Sequence, residues 1–412
     1  LAPLWRKAEP RDFWKGSRFQ GTSPWSQVFN RKPEMLDRGV VGAPGSCAPL
    51  ARPLAMCDIT EVRVLGRRRA LVTAPTALWL AASSRRALAA VASVPSDGTS
   101  ERARWLAGVA ALEGVAPTDE WRAYAQREGE RWARAEPRLR AMRAWSAREL
   151  ASVLPAEYNL FYPFAGPDAL HALALFGGAR RAVLVGLEPP GQLPDPERFA
   201  RGTFARLSDA MGDLHRLTFF RTREMSSAFQ REEGVLPVLV ATLVRMGGRV
   251  ARVSVTGAPA PSARIEWITA EGAARTLEYL ACDLSNAGLQ RAPSLVASVR
   301  GLARPLAQVA FVKAAMYLLA EPRFSRAREL LLDHAHVLVQ DDTGVPLRYL
   351  EPRWATRLYG RYVGPGAPYE ARDQPALHDA YARRAPAPLP FGIGYHVQPA
   401  SSNLLVASRG GS

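Results

Sequence analysis

The stretch from Tyr158 to Pro189 constrains the fold of this chain more than any other. Tyr158 to Phe164 is an aromatic, β-favouring run. Gly166-Pro167-Asp168 breaks it, and Pro and Asp suit the first turn or cap of a following helix. Ala169 to Phe176 reads as that helix, stopped by Gly177-Gly178. Ala182 to Leu187 is then a continuous apolar run of the kind that lies buried as a parallel strand. The order strand, loop, helix, strand predicts a Rossmann-like β-α-β unit. It puts the loop Phe164 to Asp168 and the acidic Glu188 at the carboxyl edge of one sheet, where open α/β sheets bind ligands.

The net charge of +16 would ordinarily point to nucleic acid or an anionic membrane. Its make-up argues otherwise. The only lysines are Lys7, Lys15, Lys32 and Lys313, every other basic residue being arginine, and with abundant Ala, Gly and Pro this reflects codon bias. Half of the net charge falls within the first hundred residues, so no specific nucleic-acid binding is expected. Cys47, Cys57 and Cys282 are too few and too scattered for a disulfide framework or a zinc site. Cys282, after an apolar run, is expected as a buried thiol.

Residues 1–62 are Pro- and Arg-rich with no sustained period, which predicts an irregular or disordered leader. Within residues 63–98, Arg67-Arg68-Arg69, the apolar run Ala70 to Ala82 and Ser83-Ser84 have the layout of a secretory signal. Ser83 stands where a lipid-bearing Cys would be, and the run is too short to span a bilayer stably. This layout implies membrane association through the N-terminal segment and a periplasmic or cell-envelope location. A cytoplasmic protein with an Ala-rich helix there is the alternative.

Residues 99–412 read as a single α/β domain: a mixed sheet with the β-α-β unit, flanking helices and an antiparallel portion. Ser100 opens one helix and Thr118 a second through Trp132, with Trp121, Tyr124, Ala125, Trp132 and Ala135 on a face that Glu128 interrupts. Pro194 to Phe220 is read as helical, as is Glu224 to Met246, interrupted near Gly234 and Pro237. Val250 to Val255, Arg264 to Thr269 and Arg275 to Ala281 read as an antiparallel meander. A helical region is expected from Ser294 to Leu319, a helix from Phe324 to His334, and a hairpin pairing Val337 to Val339 with Val345 to Tyr349. Trp354 to Tyr362 and Leu404 to Ala407 are strand candidates, and Ala376 to Arg384 a short helix.

The motifs leave the chemistry open. Glu188 has the place of the acid that takes ribose hydroxyls in nucleotide-binding folds. The preceding loop has one glycine, and Pro167 removes an amide that would cradle phosphate. The unit therefore resembles that of an S-adenosylmethionine-dependent methyltransferase more than a dinucleotide enzyme. Asp342-Thr343-Gly344 resembles an aspartic-protease loop, but it occurs once, and Asp and Gly are ordinary turn residues. No G-x-S-x-G elbow or Cys-His signature is present. Candidate catalytic residues are Asp168, Glu188, Asp341 and Asp342, each after an apolar run. With parallel strands they would gather into a cation site or an acid/base pair, although caps and turns explain each alone. Candidate binding residues are Tyr162, Phe164, Gly166, His171 and Tyr395, with Tyr162 and Phe164 flooring a cleft. No cofactor or metal is assigned.

Phe161-Tyr-Pro-Phe-Ala-Gly-Pro-Asp168, Gly186-Leu-Glu-Pro189, Gln340-Asp-Asp-Thr-Gly-Val-Pro346 and Leu389-Pro-Phe-Gly-Ile-Gly-Tyr395 together resemble an uncharacterised family of bacterial proteins, many predicted to be exported or lipid-anchored. The resemblance spans Tyr158 to the end. It implies an envelope location and supports these four stretches as the site, and it carries no activity. Three functions follow as expectations: an extracytoplasmic enzyme or small-molecule-binding protein with a carboxylate-lined cleft, a methyltransferase-like protein with Glu188 on a ribose, and a non-catalytic envelope scaffold.

Overall fold

The computed structural model describes residues 98–196, 202–218, 234–257, 261–351 and 353–409. The chain divides into two compact units, residues 1–74 and 75–412, and all described residues belong to the second. The leader and signal-like segment lie outside the described residues, as do residues 224–233 of the helix expected from Glu224.

Nine strands form one mixed sheet among the described residues. In chain order they are β1 (Tyr158–Tyr162), β2 (Arg181–Gly186), β3 (Arg249–Thr256), β4 (Ser262–Ile268), β5 (Ala274–Ala281), β6 (Ala307–Val312), β7 (Ala335–Gln340), β8 (Trp354–Gly360) and β9 (Asn403–Arg409). Across the sheet the order is β3-β4-β5-β2-β1-β6-β7-β9-β8. The five central strands β5, β2, β1, β6 and β7 are parallel. The antiparallel pairs lie outside them: β3 and β4 at one side, β9 and β8 at the other. The fold is thus α/β, and the expected meander continues the sheet through β5.

Among the described residues the α-helices are α1 (Thr99–Leu106), α2 (Asp119–Glu149), α3 (Ala169–Phe176), α4 (Thr203–Leu217), α5 (Leu236–Arg245), α6 (Asn286–Arg291), α7 (Pro293–Leu302), α8 (Ser325–His334), α9 (Leu347–Leu350) and α10 (Pro375–Arg384). They cover both faces. Leu160, Tyr162, Leu184, Val309, Phe311, Val337 and Val339 share a core with α1 to α5. Their chain neighbours Phe161, Val183, Val185, Ala310, Val312 and Leu338 share the other core with α6 to α10. Side chains alternate faces along a strand, so strands covered on both sides are apolar throughout.

Local chemistry explains the element ends. Thr118 caps α2 by accepting the Trp121 N–H at 3.2 Å, and Asp168 caps α3 by accepting the His171 N–H at 3.2 Å. The expected start of α1 at Ser100 moves back to Thr99, behind left-handed Gly98. Glu128, the charged interruption on α2, is buried. It pairs with Arg131 and accepts the Ser208 hydroxyl at 2.7 Å, tying α2 to α4.

Two expectations are corrected. The helical region from Ser294 ends at Leu302, and the chain then supplies the central strand β6. A short apolar run buried on both faces has no period to separate strand from helix. The hairpin after β7 does not form either. The Gln340 side chain takes both backbone groups of Val345, donating at 2.7 Å and accepting at 2.8 Å, and Leu347–Leu350 makes a helical turn. The antiparallel neighbour of β7 is β9.

Candidate functional site

After β1 the chain builds outward through β2 on one side and returns through β6 on the other, so the strand order reverses between β1 and β6. At the carboxyl ends of these two strands the Lys313 ammonium meets the Asp168 carboxylate, Nζ to Oδ2 at 2.5 Å. Lys313 is 1% exposed and Asp168 0%. Lys313 also donates to the Thr218 carbonyl, at the end of α4. Around Asp168 the Tyr162 hydroxyl donates to Oδ2 at 3.1 Å and His171 Nδ1 lies 2.8 Å from Oδ1. Position i+3 on α3 brings His171 back over its own cap.

These contacts set the charges. Burial would raise the Asp168 carboxyl, but His171 and Lys313 hold it well below the ordinary carboxylate value. Burial lowers the His171 imidazole to about 4, against the pull of Asp168. Burial also lowers the Lys313 amine, with Asp168 and Asp341 opposing.

The loop after β7 completes the cluster. Asp341 Oδ2 accepts the Ala314 N–H at 2.8 Å, directly after Lys313. Its Oδ1 accepts the Thr343 N–H at 3.0 Å and the Thr343 hydroxyl at 2.5 Å, and that hydroxyl accepts the Ala315 N–H at 2.8 Å. Asp342 accepts the Tyr317 hydroxyl at 2.6 Å and the Asn403 amide at 3.0 Å. These bonds hold Ala314, Met316 and Tyr317 at left-handed φ of 51°, 50° and 57°, a conformation that non-glycine residues adopt only under constraint. Burial, then the neighbouring Asp342 charge, pushes the Asp341 carboxyl up to about 7.

The Gly-punctuated loop closes over this corner. Thr218 donates to the Gly394 carbonyl at 2.7 Å, and the Tyr395 hydroxyl to the Ala314 carbonyl at 3.1 Å. A Cβ at Gly394, whose φ is +70°, would overlap the Asp341 carboxylate, so glycine is what lets this backbone approach. Tyr395 stacks on Tyr369 with ring centres 5.8 Å apart. Beside Asp341 and Asp342 a void of about 10 Å³, also lined by Gln340, Gln374 and Asn403, has room for a single water.

The other candidates stand apart from Lys313. Glu188 is turned toward β5, accepting the Tyr279 hydroxyl at 3.2 Å and the Leu187 N–H at 3.1 Å. A Cβ at Gly186 would come within 2.8 Å of both Glu188 Oε2 and the Gly166 Cα, so the loops after β1 and β2 touch there. Tyr162 packs on Phe311 in one core, whereas Phe164 meets Phe324 of the other. The two rings do not floor one cleft. Cys282 is half-buried rather than buried, its thiol raised by burial to about 11.

The sequence reading missed Lys313, because β6 was read as helix. One signal was available: it is the only lysine among the described residues, in an arginine-dominated chain and directly after an apolar run. Among the described residues no group of three or more His, Cys, Asp or Glu could hold a metal ion. No described helix is long and apolar enough to cross a membrane. No protein-family model and no curated protein matches the chain.

Proposed function

We propose that the carboxyl edge between β1 and β6 is a site for a small polar molecule, with proton transfer as the chemistry it is equipped for. The observation that carries this reading is the burial of Lys313 against the Asp168 carboxylate, with Asp341 from a third strand end acting on it electrostatically. Sequestering such ions costs several kcal/mol each before pairing, on the order of what a well-packed apolar replacement would save. Open α/β sheets bind ligands where the strand order reverses, and strongly shifted ionisable groups cluster at working sites. Asp341, titrating near neutrality, suits an acid that gives up and regains a proton. Lys313, Asp168 and His171 supply the fixed polar frame. The signal-like layout before residue 98 supports a periplasmic or cell-envelope location for this activity.

The test is a thermal-shift screen of the full chain against small-molecule metabolites, divalent cations and S-adenosylmethionine, repeated with Lys313→Met and Asp341→Asn. A class of compound that raises Tm in the wild type and not in Lys313→Met supports the reading. An adenosyl response that survives in Lys313→Met but is lost on replacing Glu188 would move the site to the methyltransferase-like alternative. Silence throughout overturns the proposal.

A further inference from the structure

Beneath the same cluster, on the face covered by α2, α3 and α4, lie buried polar atoms without a hydrogen-bond partner among the described residues. They are Nε and Nη2 of Arg138 on α2, Nε2 of His171 on α3 and both ring nitrogens of His215 on α4. His171 is 0% exposed and His215 9%. Arg138 is only partly buried, but these two atoms are sealed from solvent and the side chain forms no ion pair among the described residues. The His215 ring packs edge-on against Trp132 of α2, ring centres 4.9 Å apart. The Arg138 guanidinium also contributes to the charge balance of Asp168, His171, His215 and Lys313.

We propose that Arg138, His171 and His215 form a binding site for a small oxyanion, a carboxylate or phosphate group, and that binding takes up a proton. It rests on the reading above and names the ligand class for that site. Nε and Nη2 form one edge of the guanidinium, the pair of parallel donors that grips two oxygens of a carboxylate or phosphate at once. Buried donors are nearly always satisfied in folded proteins, and an unpaired buried cation is the costliest exception. An anion supplies the missing acceptors and the missing charge together.

The proton follows from the tautomer. With Asp168 ionised, His171 Nδ1 donates to it, so in the neutral ring Nε2 carries a lone pair that would repel an anion. To hold the anion His171 must gain a proton at Nε2; Asp168 stabilises the resulting imidazolium, while Lys313, 3.4 Å from Nδ1, and Arg138 oppose it until the anion offsets their charge. His215, neither of whose ring nitrogens has a partner among the described residues, can turn an N–H to the anion in its neutral form, so the proton is taken up at His171.

Calorimetric titration of the full chain with acetate, inorganic phosphate and chloride, at several pH values below neutrality, tests this. Saturable binding of acetate or phosphate and not chloride is expected, strengthening about tenfold per unit of acidification where one proton is taken up. Heats should vary with buffer ionisation enthalpy. Arg138→Gln should weaken binding at least tenfold, about the loss expected for one charge-assisted fork. Arg138→Lys, which keeps the charge and loses the fork, should weaken it as well and guards against a folding defect in the first variant. His171→Gln should flatten the pH dependence. The ratio of acetate to phosphate affinity assigns the group. Binding that chloride matches, that survives both Arg138 variants, or that shows no proton uptake overturns the inference. If the anions are silent while another compound class gives a Lys313-dependent thermal shift, the oxyanion assignment alone fails; if both are silent, the site itself does.

Discussion

Lys313 and Asp168 make one buried ion pair, and each is worth most in the presence of the other. Replacing Lys313 with Met leaves Asp168 among Tyr162 and His171 without its cation. Urea unfolding should show a loss of about 3–5 kcal/mol, the usual cost of orphaning one member of a buried pair. The double variant Asp168→Asn/Lys313→Met should recover more than half of it, since removing both charges also removes the desolvation they carried. A double variant no more stable than the single one would mean that the pair is not the source of the loss. Asp168 and His171 were legible in the sequence because cap and i+3 spacing place both on one turn. Lys313 belongs to another strand 145 positions on, and nothing local joins it to Asp168.

At the level of elements, α2 and β6 mark the limits of reading a pattern. The cap at Thr118 and the stripe through Trp132 were visible, but the helix runs on to Glu149 through Pro137, an interior position where sequence rules expect a break or kink. Tertiary contacts carry it across: Leu139, Met142 and Trp145 are buried beyond the proline. Pro137 itself is exposed. Pro137→Ala should therefore raise stability by about 1–3 kcal/mol in urea titrations, because it returns a backbone donor and removes a ring clash. A loss instead would show that the packing beyond the proline depends on it. β6 failed for a different reason. An apolar run covered on both faces looks alike as strand or helix, and its strand identity comes from partners β1 and β7, distant in sequence. The expected hairpin failed because the Gln340 side chain competes for the backbone of Val345.

For the whole molecule, fold class was the most legible property: apolar runs, Gly-Gly stops and the meander suffice for a mixed α/β sheet. Buried ionisable groups then predict how that fold responds to pH. Burial, opposed for His171 by Asp168, leaves His171 and His215 at about 4 and about 3, against an ordinary 6.5. The unfolded chain binds their protons more readily, so the stability they contribute is complete above pH 6.5 and is lost as pH falls toward those values. Asp341 runs the other way. Raised by burial and Asp342 from 3.8 to about 7, it contributes stability that is complete below 3.8 and lost as pH rises through about 7. From these three groups alone, urea midpoints should rise with pH up to about 6.5 by about one proton's worth, about 1.4 kcal/mol per unit, and dip toward about pH 7. Asp341→Asn should flatten the alkaline limb and roughly double the acid slope; unchanged limbs would place these groups in other protonation states.

One last consequence follows from Lys313 being the sole lysine in the described part of the chain and almost fully enclosed. Its nitrogen is a built-in chemical reporter: an acylating reagent can mark that peptide only in molecules whose sheet edge has transiently parted, so the pace of labelling there reads the breathing of the site.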